Sequence, residues 1–195
     1  KADTTGPITA EIVSSESLTE LLTLTTGATD SITMTVPSGT VSAANLIALD
    51  LLTGTAVDAT GITLLTGNLN DVNTVLAAGG LNTSGSVAVS VDSAISVTDF
   101  NALDLLTTGI VTATVQDDSA SDLATVTTTG TNVVSAVVQD SGSAVAASEL
   151  TALLTHTGVG VDATAVTEVT GTLAELAALN AVIGTAASGK IEFSS

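Results

Sequence analysis

The chain has 195 residues, enough for one ordinary domain or a short repeat array. Its apolar residues are almost all Ala, Val, Leu and Ile, with two Phe and no Trp or Tyr, so a core must be built from small aliphatic side chains in thin layers. Twenty acidic residues against two basic ones give a net charge of −18, which repels phosphate backbones and anionic membranes and argues against nucleic-acid or lipid partners.

The first expected strand is "ITAEIV" (8–13), rich in β-branched residues. Seven more follow at 31–36, 56–65, 86–91, 110–115, 132–138, 159–169 and 190–193. A short helix is expected after each of the first seven. Its anchors are Leu18, Leu46, Val72, Phe100, Leu123, Leu150 and Leu176, spaced by 28, 26, 28, 23, 27 and 26 residues. A period in that range marks a repeat array.

The same parts surround each anchor. Four residues earlier stands Ser14, Ser42, Asn68, Ser96, Ser119, Ala146 or Thr172; all but the alanine can accept a bond from a free helix N–H. One residue earlier, at the third helical position, stands Ser17, Asn45, Asp71, Asp99, Asp122, Glu149 or Glu175, where an acid meets the positive helix end. Three residues later an apolar side chain completes one helix face: Leu21, Leu49, Val75, Leu103, Val126, Leu153 or Leu179. A glycine then follows, at Gly27, Gly54, Gly79, Gly109, Gly130, Gly158 or Gly184, expected to end the helix in the left-handed conformation.

Strands alternating with helices imply a parallel sheet with right-handed crossovers. A doubly wound domain fits that order, but the fixed repeat, short helices and thin core favour a right-handed α/β solenoid of about eight parallel strands and seven short helices. No domain boundary is visible over 1–195; the one break in style is "QDDSASD" (116–122), where the spacing shrinks. "VDATGIT" (57–63) and "VDATAVT" (161–167) are near copies.

Little in the sequence reads as chemistry. There is no Cys, hence no disulfide, thiol or Cys-zinc site. No apolar run is long enough to span a bilayer, and the first residues lack the basic and apolar regions of a signal peptide. His156, the only histidine, falls at a helix end with no nucleophile or base placed beside it, and no G-x-S-x-G, G-x-G-x-x-G or phosphate-loop motif is present. Thr-rich stretches are out of register, which disfavours an ordered-water face. Calcium is the one candidate ligand. Asp92, Asp117, Asp118 and Asp140 lie in successive strand-to-helix loops and could stack into a carboxylate ladder, although such residues also simply make turns.

"ALDLLTTG", "VDATAVTEVTGT" and "LNDVNTVLAAGG" resemble repeats of very large secreted cell-surface proteins of cyanobacteria and other aquatic bacteria, best over 41–109 and 145–184. That resemblance implies an extracellular, non-enzymatic role in a surface layer, filament or adhesive stalk, and carries no functional residues with it. The expected function is therefore a structural protein that self-assembles head to tail through its terminal strands, with Lys190 of one copy meeting an acid such as Glu11 of the next and Glu192 beside it. The alternatives are a calcium-stiffened adhesin or stalk module of a larger secreted surface protein and a polysaccharide-cleaving solenoid; the scarcity of aromatic sugar platforms disfavours the second.

Overall fold

A computed structural model describes residues 6–12, 17–26, 29–117, 119–127, 132–139, 142, 144–157, 160–185 and 189–194. The fold is mixed α/β, with parallel strands, seven helices and no closed barrel among the described residues. It divides into two compact units, Lys1–Asp92 with Leu106–Gly109, and Ser93–Leu105 with Ile110–Ser195.

The first unit holds β1 (Thr9–Ile12), α1 (Leu18–Leu21), β2 (Ser31–Met34), β3 (Gly39–Ser42), α2 (Ala43–Asp50), β4 (Val57–Ala59), β5 (Ile62–Gly67), α3 (Leu69–Ala77), β6 (Leu81–Thr83) and β7 (Ala88–Val91). Strands β3, β5 and β7 lie side by side, as do β1 with β2 and β4 with β6. Thr35 bridges to Asp58 and joins the β2 run to β4. Partners in adjacent strands are one repeat apart in sequence, so equivalent side chains stack: Val41 beside Leu65 beside Val89, all buried.

The second unit holds α4 (Val97–Asp104), β8 (Val111–Asp117), α5 (Ala120–Leu123), β9 (Val133–Val138), β10 (Val145–Ala146), α6 (Ala147–Leu153), β11 (Val161–Asp162), β12 (Val169–Thr170), α7 (Leu173–Asn180) and β13 (Ile191–Glu192). Strands β8, β9, β11 and β13 follow one another in that order, and β10 pairs with β12. Ala136, Val161 and Ile191 form one buried ladder across three strands. This is the thin aliphatic core that the composition demands, because small residues at one register position pack above and below their own equivalents.

Each strand expected from sequence falls on an observed one, but thirteen strands are described rather than about eight. Most repeats carry two strands, not one. Residues 56–65 are two strands split by a turn in which the Asp58 carboxylate accepts from the Thr60 N–H and hydroxyl. Residues 159–169 split in the same way, with Asp162 and Thr164 making the same turn, so the near copies flagged in the sequence are a shared corner. Strands β3, β6 and β10 were not anticipated; they are only two to four residues long, too short for alternation to register.

Helix starts follow the sequence closely. Ser42, Asn68, Ser96, Ser119 and Thr172 each accept a bond from the N–H three residues on. The first helix is the exception. Its cap is Ser17, not Ser14, which lies outside the described residues, so Leu21 rather than Leu18 takes the anchor position. "SLTE" offers a full capping box with Glu20, which outcompetes a cap that would have Ser17 at that position. Hydrogen bonds from the Ser17 hydroxyl and N–H hold the Glu20 carboxyl below its ordinary value, as the Thr172 N–H and hydroxyl do for Glu175. Both carboxylates therefore support their helices above the ordinary glutamate value of 4.5, and the support is lost as pH falls through the lower folded value. A carboxyl NMR titration should give Glu175 a midpoint below 4.5; one at or above it would mean the box is not formed.

Ala146 caps α6 without a side-chain acceptor, and only Glu149 reaches back to its N–H. Ala146→Ser should complete the box and stabilise the protein by about 1 kcal/mol in urea denaturation. No gain would show that the backbone there does not present its side chain as the other caps do.

Helix ends differ from expectation. The described stop glycines Gly54, Gly79, Gly109 and Gly184 do not adopt positive φ, and most C-caps are right-handed residues such as Leu51, Leu105 and Ala181. One of these glycines instead permits a close approach. A Cβ on Gly109 would collide with the Val87 carbonyl, whereas one on Gly54 or Gly184 would make only ordinary contact with the Asp30 carbonyl or the Lys190 stem. Gly27, Gly130 and Gly158 lie outside the described residues. Gly109→Ala should cost about 2 kcal/mol because backbone must move. Gly80→Ala should cost far less, since the obstruction is the carboxylate of Asp50, which can rotate away. Equal losses would contradict the close approach at Gly109.

Candidate functional site

Among the described residues, hydroxyls, the Asn132 amide and the buried carboxylates of Asp30 and Asp104 do the specific polar work inside this protein, Asp30 accepting the Ile8 N–H at 2.9 Å. The segment after α2 places Thr53 against β2, where its Oγ1 accepts from the Ile32 N–H and donates to the Ile32 carbonyl at 2.7 Å. Thr55 donates to the same carbonyl. After α4, buried Thr107 donates to the Val87 carbonyl at 2.6 Å and accepts from the Gly109 N–H. Before β9, the buried Asn132 accepts the Val111 N–H at 2.8 Å and donates to Asp104 at 2.6 Å. Each side chain substitutes for a strand partner at the edge of a ladder and ties one repeat to the preceding one. Buried backbone groups need such partners. The Thr-rich "LLTGT" and "LLTTG" stretches carried this signal, but it is indistinguishable in sequence from ordinary turn composition.

Of the four expected calcium ligands, two fall within the described residues. Asp92 follows β7 in the first unit, whereas Asp117 ends β8 in the second and accepts from the Ser119 N–H. Asp118 and Asp140 lie outside the described residues. Among the described residues no three His, Cys, Asp or Glu side chains gather in a way that could hold a metal ion. His156 sits in the turn leaving α6, its N–H bonded to the Leu153 carbonyl.

Of the residues expected to mediate self-association, Lys190 has a local partner. Lys190 lays its stem along Gly184 and donates from Nζ to the carbonyl of Ala181, the C-cap of α7, where a cation suits the negative helix end. Glu192 stands beside Asp162 on the neighbouring strand, and Glu11 lies exposed on β1 beside Thr33. The expected open edge at β13 is closed. Ile191 donates to the Val182 carbonyl and accepts from the Gly184 N–H, so the segment after α7 folds over that edge.

An open surface does exist at the last helix. The first and fourth helical positions are buried in α2, α4, α5 and α6, as Ala43 and Leu46, Val97 and Phe100, Ala120 and Leu123, and Ala147 and Leu150. In α7 the same positions are Leu173, 86% exposed, and Leu176, 38% exposed. Only Leu179 of that helix is buried. At the other end of the chain, Ile12, Glu20, Leu21 and Leu24 line a recess of about 270 Å³ in the first repeat. No helix among the described residues is long and apolar enough to cross a membrane. Comparison with protein-family models, with curated proteins and with solved structures gave no match.

Proposed function

We propose that this chain is a non-enzymatic structural protein of the cell exterior, a right-handed α/β solenoid that self-assembles head to tail into a filament or surface layer. The observation that carries this reading is the contrast between α2, α4, α5 and α6, whose first and fourth positions are buried, and α7, whose equivalents are 86% and 38% exposed. Repeat proteins hold together through contacts between neighbouring repeats, and an exposed apolar helix face is a surface that such a contact can use. A contact joining one end of a copy to the opposite end of the next does not use itself up, so it propagates. The right-handed sense is the one that parallel strands joined through helices favour in general.

The polar groups favour the same reading, since the buried Thr107 and Asn132 are spent on fastening repeats rather than aimed into a cleft. The near absence of Lys and Arg leaves few sites for trypsin-like proteases, which suits exposure outside a cell. Negative-stain electron microscopy at rising protein concentration, with EDTA and with calcium, tests the reading. Long uniform fibres or sheets are the expected result, and discrete particles under every condition would overturn it.

A further inference from the structure

We propose that Asn82 is the acceptor of an N-linked glycan. The chain has eight asparagines, and Asn82, in the run Asn82-Thr83-Ser84, is the one followed two residues later by a hydroxyl-bearing residue, with no proline between. The fold presents that residue outward. On either side of it in β6, Leu81 is buried and Thr83 half-buried, whereas Asn82 is exposed. Its amide makes no hydrogen bond with any other described residue. Asp58, its partner in register on β4, is occupied by the N–H and hydroxyl of Thr60. Other asparagines are committed to the fold: Asn68 caps α3, Asn101 ties down Thr125 and Thr127, and Asn132 is buried.

A glycan at this position answers a need of the fold. Strand β6 pairs with β4 on one side, and no strand among the described residues lies on the other. Residues 72–91 carry no charge, the longest such run in a chain with 20 acids. An open, uncharged strand edge is a template for another chain, and edges are commonly guarded by charge, proline or a covering segment. A bulky hydrophilic sugar on the outward residue of β6 supplies that guard. The inference rests on the reading of the chain as a protein of the cell exterior. The donor it needs is a sugar activated as an anomeric phosphate ester, carried on a lipid or on a nucleotide. Nδ2 of Asn82 forms a bond to the anomeric carbon as that carbon's bond to the phosphate oxygen breaks. The phosphate oxygen keeps the electron pair, and the amide gives up one proton.

Two arms test the site and separate the donors. The folded chain is incubated either with an oligosaccharyltransferase and a lipid-pyrophosphate-linked oligosaccharide, or with a soluble N-glycosyltransferase and UDP-glucose, and its intact mass is measured. In at least one arm the mass should rise from 18.9 kDa by a single glycan, while Asn82→Gln stays at its unmodified mass. Ser84→Ala should be modified at least about tenfold more slowly, and Ser84→Thr, which keeps the hydroxyl, at the wild-type rate or faster. No mass increase in either arm, or an increase that persists in Asn82→Gln, would overturn the assignment. Fibres from a chain that neither arm modifies would overturn the glycan site alone. Transfer to Asn82 in a chain that forms no fibres before modification would keep the site and overturn head-to-tail assembly.

Discussion

Replacing Phe100 with alanine is expected to destabilise the protein by about 3–5 kcal/mol, the largest effect of any single truncation considered. Phe100 is fully buried at the fourth position of α4, which packs on β8, and it heads the large side chains of the core. Its neighbours in the repeat series are Val72 and Leu123, which fill the same position with much less volume. A core made of Ala, Val, Leu and Ile has no long flexible side chain to swing into the gap, so the cavity stays largely open. Phe100→Leu should recover most of the loss, at a cost of about 1–1.5 kcal/mol. Urea denaturation followed by circular dichroism, with an unchanged denaturant slope, reads both values. A loss under about 1 kcal/mol for Phe100→Ala would mean that α4 does not pack on β8 as described.

Asn132→Ala is expected to cost about 2–4 kcal/mol, although it removes no large apolar surface. The amide joins two groups that cannot turn to water, accepting from the Val111 N–H and donating to the Asp104 carboxylate. Truncation leaves the N–H without that acceptor and takes one donor from a buried carboxylate, so desolvation is no longer offset. Asn132→Asp discriminates between lost bonding and lost shape. It is nearly isosteric but sets a second carboxylate against Asp104, so it should be at least as damaging at neutral pH and partly relieved in acid, where one of the pair takes up a proton. Equal stability of the asparagine and aspartate forms across pH would contradict the bond between Asn132 and Asp104.

What the sequence made legible were the local rules. Ser42, Asn68, Ser96, Ser119 and Thr172 are caps because a short oxygen-bearing side chain before an apolar stripe has one favourable use, and the period of their recurrence exposed the repeat. Strands β3, β6 and β10 stayed hidden because runs as short as GTVS, LNT and VA read equally as turn. The glycines misled for a related reason. Absence of a side chain permits both a left-handed cap and a close approach, and Gly109 shows the second, which depends on where Val87 lies twenty-two residues earlier.

The candidate site was less legible than the fold. Lys190 and Glu11 stood out because charge is conspicuous in a sequence, yet Lys190 is used within its own repeat. Leu173 and Leu176 did not stand out, because in sequence they match the buried residues of α2, α4, α5 and α6. Their exposure is a property of what lies beside α7, and no pattern within the helix records it.

The most direct test of head-to-tail assembly is sedimentation velocity on the wild-type chain across a wide concentration range at about 0.5 M salt. The weight-average mass should climb from the monomer value of 18.9 kDa without reaching a plateau, as an open-ended contact requires. A mass fixed at 18.9 kDa throughout, or a plateau at twice that value, would contradict it.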